Sequence, residues 1–257
     1  MKLVYTFSSQ FTSEMYQTKD PSKILTAYIN YYRRSILSAL EVGYIVDFYI
    51  SRELIYNFKD LKINLITIED IDSGLFDFWK AKVLKERTDD IMLVDGDIDF
   101  HKKISITNHD LIYDFACSTG KEGDDIKKDK TWHHYYKPYV NNLTELGIKQ
   151  VIPEWTGKRL DFVHNIGVLY FNNRKLKEIY VERWFEFNDF INKHILDKTP
   201  YTAVGAQYML SEIINHYNCS SIEVTKGTYD HNLGIDKFTI PTVSTHEVQT
   251  DKKKSFL

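Results

Sequence analysis

Cysteine is scarce: Cys117 and Cys219 are the only two in 257 residues, far apart and in no pairing motif. That rules out a disulfide framework and leaves two free thiols, as expected of a reducing compartment. No apolar run approaches the roughly 20 residues a membrane-crossing helix needs. Residues 1–6 carry one lysine and then a short strand-like run, without a signal peptide's long apolar region. A soluble, cytoplasmic protein is therefore expected, and Asn-x-Ser/Thr at Asn142 and Asn218 reads as a chance match. Basic excess is missing too. A net charge of -3 leaves nothing to neutralise a phosphate backbone, so nucleic acid is not an expected partner. The chain has no internal repeat and no low-complexity tract.

What is present suits a packed core, with 43% hydrophobic and 27% charged residues. Residues 2–7 form an apolar strand. Residues 24–42 place Leu25, Ile29, Tyr32, Ile36 and Leu40 at spacings of three and four, an amphipathic helix that Gly43 ends. Strands are expected at 44–50, 62–68 and 90–94, with a helix over 75–85 carrying Phe76, Trp79 and Val83 on one face. A strand over 163–171 and helices over 176–195 and 203–214 follow. Short alternating units of this kind predict an α/β fold with a mostly parallel sheet flanked by helices. Residues 118–134 read as a polar loop, and 238–257 as a polar, lysine-rich tail.

Ligands on such sheets gather at the carboxyl ends of strands. There, directly after Ile91-Met92-Leu93-Val94, stands Asp95-Gly96-Asp97-Ile98-Asp99. If the chain stays extended, the three aspartates line one side and repel, and a divalent cation relieves that repulsion. All-oxygen sites suit magnesium or manganese. Gly96 would let a ligand approach the backbone. The plain alternative is an acidic turn after a strand.

Leu93-Val94-Asp95-Gly96-Asp97 resembles the Asp-x-Asp motif of glycosyltransferases with the GT-A (Rossmann-like) fold. Four more segments follow the order found in glycosyltransferase family eight, the glycogenin and bacterial galactosyltransferase group. They are the helix 78–84 with Lys80, His164-Asn165-Ile166-Gly167-Val168, Ala206-Gln207, and His231-Asn232-Leu233-Gly234-Ile235-Asp236-Lys237. Each is weak alone; their shared order across residues 78 to 237 carries the resemblance. It implies one domain over 1–257, with a nucleotide-binding half (1–100), a half for sugar and acceptor (101–237) and a C-terminal tail (238–257); an insert over 118–154, without a counterpart in the family, and the C-terminal helices would shape the acceptor side.

The resemblance also implies roles. Asp95, Asp97 and His231 would hold Mn2+ or Mg2+. Thr6, Ser8, Lys80, Asp95, Gly234 and Lys237 would meet a nucleotide-sugar donor of the UDP-sugar type. Asn165, Gln207 and Lys237 would serve the transfer, with retention of configuration, to a glycan or other acceptor. Asp99 would orient a ligand or a sugar hydroxyl. Two positions depart from the family: Ala206 replaces an aspartate, and Phe238-Thr239 stands where Pro-Trp is usual. An inverting enzyme of the same fold, with Asp161, Asp124 or Asp125 as base, stays open. So does an inert module that kept the fold. A nucleotidyltransferase is disfavoured, because residues 8–13 lack a glycine-rich phosphate loop. Each residue has a structural reading beside this one. His231 and Lys237 could be solvated surface groups, and Asn165 a backbone cap. Gln207 could be exposed on its helix. Trp79 and Trp184 read as core, Trp132 and Trp155 as either packing or sugar-stacking groups, and His133-His134 as loop.

Overall fold

The structure, a computed structural model, describes residues 1–8, 21–69, 78–118, 132, 136–198 and 201–231. A seven-stranded sheet organises them. In chain order its strands are β1 (Lys2–Phe7), β2 (Ile45–Ser51), β3 (Asn64–Ile68), β4 (Ile91–Val94), β6 (Leu111–Tyr113), β9 (Val168–Phe171) and β10 (Ser221–Glu223). Their spatial order is β10-β6-β9-β4-β1-β2-β3. All run parallel except β9, which is antiparallel to both β4 and β6. Two ribbons stand apart: β5 (Ile98–Phe100) pairs with β11 (Tyr229–His231), and β7 (Ala116–Ser118) with β8 (Phe162–His164). The expected α/β architecture with a mostly parallel sheet is what the chain adopts.

The central strands are apolar on both sides because both faces are covered. Alternate residues divide between two cores. Leu3, Tyr5, Phe7, Met92 and Val94 face one, under helix α1 (Pro21–Glu41). Val4, Leu93, Leu111 and Leu169 face the other, under α2 (Phe78–Glu86), α3 (Lys137–Glu145), α4 (Arg174–His194) and α5 (Met209–Tyr217). In α1 the predicted stripe is the buried face. Tyr32 stacks on Phe7 at 4.5 Å and on Phe48 at 5.4 Å between ring centroids. Gly43 stops the helix with φ of +83°, a left-handed conformation that glycine adopts freely. In α4 the buried side is Leu176, Tyr180, Trp184, Phe187 and Ile191. No helix among the described residues is long and apolar enough to cross a membrane.

Two expectations need correction. The strand predicted over 163–171 is two strands, because the chain turns at 165–167. Asn165 Oδ1 accepts a hydrogen bond from the Gly167 amide at 2.8 Å, closing a side-chain turn that breaks the ladder. The last helix begins with a π turn, Val204–Tyr208, before continuing as α5. Trp155 and Trp184 are fully buried and Trp132 is 5% exposed, so none of these three is a sugar platform. Trp79 packs against the same core.

Candidate functional site

β1 and β4 run side by side with Val4 beside Leu93, so Thr6, Ser8 and Asp95 emerge at one edge of the sheet. Asp95 donates its amide to the Gly167 carbonyl at 2.8 Å, which ties it to the turn after β8. Its Oδ1 lies 2.5 Å from Nζ of Lys80, whose side chain is almost wholly buried. The lysine predicted to reach a donor is thus the counter-charge of the first aspartate. The chain then turns at Gly96 and Asp97, and the alternation expected of an extended strand is lost. The three carboxylates do not line one side. Asp95 faces Lys80, Asp97 faces His231, and Asp99 is clasped by Nε of Arg34 at 2.6 and 2.9 Å. Asp99 is therefore part of an ion pair with α1, not a third member of the cluster. The glycine also has another purpose. A Cβ on Gly96 would meet the Tyr32 ring at 2.5 Å, so its missing side chain makes room for α1 rather than for a ligand. The Tyr32 hydroxyl continues the contact, donating to the Thr6 carbonyl at 2.7 Å.

His231 reaches Asp97 through the β5–β11 ribbon, whose register sets His231 opposite Ile98. Its Nε2 lies 3.4 Å from Asp97 Oδ2, and its Nδ1 lies 2.5 Å from Oδ2 of Asp114, which is 2% exposed. The other Asp114 oxygen accepts the Tyr229 hydroxyl. Burial alone would lower the imidazole pKa, but Asp114 and then Asp97 outweigh burial and raise it to about 10. Without a metal the ring is thus a cation between two carboxylates. Among the described residues no three His, Cys, Asp or Glu side chains converge on one point. Asp97 and His231 form the pair able to grip a cation, and Asp95 stands one turn away.

Gly167 is where this arrangement is most tightly fitted. A Cβ there would sit 2.5 Å from Asp114 Oδ2 and 2.8 Å from His231 Cε1. Gly167→Ala is expected to cost about 1–3 kcal/mol through overpacking and to push His231 away from Asp97. Urea unfolding with a histidine NMR spectrum of the variant would check both.

Asn165 holds its own turn, so its amide oxygen is engaged by the Gly167 backbone. Gln207 lies in the π turn, half-buried, with Oε1 accepting the Tyr136 hydroxyl at 2.8 Å. Such turns often mark functional positions. Ala206 faces the core, and its carbonyl accepts Tyr180 at 3.0 Å. Beside Asn165, the buried His164 ring contacts Ser211 Oγ at 2.8 Å, and burial pushes its pKa down to about 4. The unfolded chain therefore takes up a proton between about pH 6.5 and pH 4 that the folded chain refuses. Stability from this group is complete above pH 6.5 and falls as pH drops, by about 3 kcal/mol at pH 4. His164→Gln should flatten the wild-type decline over that interval by this amount, read from urea unfolding at pH 7 and pH 4.

Gly234 and Lys237 lie outside the described residues, as do His133-His134, Asp124 and Asp125. Asp161 is exposed at the head of β8. Cys117 and Cys219 are free and half-buried, with burial raising the Cys117 thiol to about 11. Asp114 and Tyr229 are the residues that sequence reasoning missed. The signal for Asp114 was present: it follows Leu111-Ile112-Tyr113 as Asp95 follows Ile91–Val94.

No protein-family model and no curated protein sequence matches the chain. Among solved structures, the galactosyltransferase LgtC, in complex with donor and acceptor sugar analogues, is similar at 12% identity and a TM-score of 0.39, covering 79% of this chain and 70% of that one. The apo form of the glycosyltransferase GlyE of Streptococcus pneumoniae TIGR4 is similar at 13% identity and a TM-score of 0.42. That match covers 87% of this chain and 45% of GlyE, so the chain spans less than half of GlyE's length. Mouse xyloside xylosyltransferase 1 is similar at 11% identity and 0.39, with 79% and 80% covered.

Proposed function

We propose that this chain is a metal-dependent glycosyltransferase. It moves a sugar from a nucleotide-sugar donor, of the UDP-sugar type, to a glycan or other acceptor, with retention at the anomeric carbon. The observation that supports it most is the row Asp97–His231–Asp114 beside Lys80–Asp95 at the carboxyl ends of β4 and β6. The order of the five motifs from Lys80 to Lys237 supports the same reading, and GT-A family eight is the group they resemble.

The residues fit a divalent cation. An imidazole with one nitrogen on a buried carboxylate and the other facing a second carboxylate is the usual setting of a metal-bound histidine. Mixed carboxylate and imidazole donors suit manganese. Cations that serve phosphate chemistry commonly take one or two carboxylates and complete their shell from substrate phosphates and water. Two converging side chains are therefore sufficient here. Asp97 and His231 would hold the cation, with Asp95 adjoining, and it would supply Lewis-acid stabilisation of charge on the leaving diphosphate.

The remaining work falls to the chain. Lys80 balances Asp95 until a donor arrives and then offers its ammonium to the donor. Thr6 and Ser8 border the same edge and would meet the nucleotide. Gln207, steadied by Tyr136, and Asn165, fixed in its turn, would line the sugar pocket. Lys237 and Gly234 would complete the phosphate side. The cytoplasm is the compartment we assign.

Calorimetric titration with uridine diphosphate, with and without manganese, tests the reading. Binding that needs manganese and reverses with a chelator is expected, followed by hydrolysis of a UDP-sugar in the absence of acceptor. No binding of uridine, guanosine or thymidine diphosphate under any condition would overturn it.

A further inference from the structure

We infer that the outer edge of β3 is an interface between two copies of this chain. Each β3 pairs antiparallel with the other about a two-fold axis at Ile66, joining two seven-stranded sheets into one. The inference is independent of the transferase reading, because it uses no residue of the candidate site.

β3 is the last strand on its side of the sheet and, among the described residues, pairs with β2 alone. The free side of an edge strand offers a row of amides and carbonyls. Proteins that stay apart blunt it with charge, proline, a bulge or brevity. The opposite edge of the same sheet follows that rule: β10 is only three residues, Ser221-Ile222-Glu223, and ends on an exposed acid. β3 does not. It runs for five residues, Asn64-Leu65-Ile66-Thr67-Ile68, with no charge and no proline. Its register with β2 advances one for one, without a bulge. Asn64 and Thr67 are exposed, and Leu65 and Ile66 are only half-buried. The edge is also held in shape. Asn64 Nδ2 donates to Asp47 at 2.6 Å, and Arg87 donates to the same carboxylate at 2.7 Å.

Charge identifies the partner. The chain enters β3 through Lys59 and Lys62 and leaves it through Glu69, followed in sequence by Asp70. The one acid at the entry, Asp60, is already held by both terminal nitrogens of Arg33 at 2.6 and 2.8 Å. Lys62 and Glu69 are exposed, and neither has an ion pair among the described residues. Antiparallel pairing about Ile66 sets Asn64 against Ile68 and Leu65 against Thr67. It also brings the basic entry of each strand to the acidic exit of the other. Parallel pairing would set like charges together. The strand thus complements its own reverse, the condition a two-fold interface imposes. Such a ladder adds about four to six hydrogen bonds. Beside it the turn Arg52–Asn57 puts out Tyr56, 73% exposed, with the Lys59 ammonium 3.9 Å from its ring centre. Aromatic side chains of this kind are enriched at interfaces.

Sedimentation velocity of the full chain over a wide concentration range tests the inference. A reversible dimer is expected. Lys62→Glu and Glu69→Lys should each weaken it about 10-fold or more, because the two-fold repeats every repulsion. An equimolar mixture of the two variants should recover the dimer, since each then supplies the charge the other lacks. Thr67→Lys, an exposed change, should also weaken the dimer and leave urea unfolding unchanged. A chain that stays monomeric throughout would overturn the inference. So would a dimer indifferent to both reversals, or a mixture that fails to recover. A monomer with β3 amides protected from hydrogen exchange on both sides would show that another segment, not a second copy, occupies the edge.

Discussion

Asp97→Ala is expected to weaken manganese-dependent binding of uridine diphosphate by at least about 100-fold while barely changing stability. Asp97 sits on the turn between β4 and β5 with its side chain 27% exposed, and its partner is His231 at 3.4 Å. Partly exposed ion pairs of this length contribute about 1 kcal/mol or less to folding. The same carboxylate is one of two groups placed to grip a cation, so its loss falls on binding. Asp95→Ala would be a poorer probe. It removes the carboxylate 2.5 Å from a buried ammonium, so its loss falls on folding as well as on binding. Binding and folding would then fail together. Calorimetry and thermal unfolding on the two variants separate the cases. Asp97→Ala that bound nucleotide as tightly as the wild type would remove Asp97 from the site.

Glu212→Ala is expected to destabilise the chain by about 4 kcal/mol, a large share of the 5–15 kcal/mol typical of a folded domain. Glu212 is 1% exposed, and one of its oxygens accepts from the Thr156 amide and hydroxyl, the Gly157 amide and the Tyr208 hydroxyl, at 2.7 to 3.2 Å. This carboxylate fastens the segment before β8 to α5, directly after the π turn that carries Gln207. Alanine leaves the two amides and the Thr156 hydroxyl facing a cavity, while Tyr208 keeps the Lys158 carbonyl at 2.6 Å. Glu212→Gln keeps an acceptor oxygen at the same place and should lose less than half as much. Urea unfolding of both variants checks the ranking; equal losses would mean that shape rather than hydrogen bonding dominates.

Much of this fold was legible before any coordinates. Strands β1 to β4 and helices α1, α2 and α4 announce themselves because their apolar residues recur at the period of the element that buries them. The break inside 163–171 was not legible, since every residue there but Asn165 and Gly167 looks like strand, and the turn depends on a side-chain oxygen meeting a backbone amide. At the candidate site, Asp95 and Asp97 draw notice by their place after an apolar run. Asp114 occupies the same kind of place but has no neighbouring acid to draw notice. Its meaning comes from Tyr229 and His231, which the β5–β11 register brings to it from the far end of the sequence. The expectation that Asp99 shares a face with Asp95 and Asp97 did not hold, for the opposite reason. Spacing suggested a common face, but the turn at Gly96 gave each acid a separate partner.

That late ribbon has a consequence for how the protein comes into being. The sheet's centre is made from the first half of the chain and β9, whereas the imidazole arrives with one of the last described strands. A nascent chain can lay down β1, β2, β3 and β4, with both aspartates already in position, long before its histidine has been synthesised. Truncation ahead of Tyr229 should therefore leave a chain that collapses around much of the same core but handles manganese no better than an isolated acidic turn.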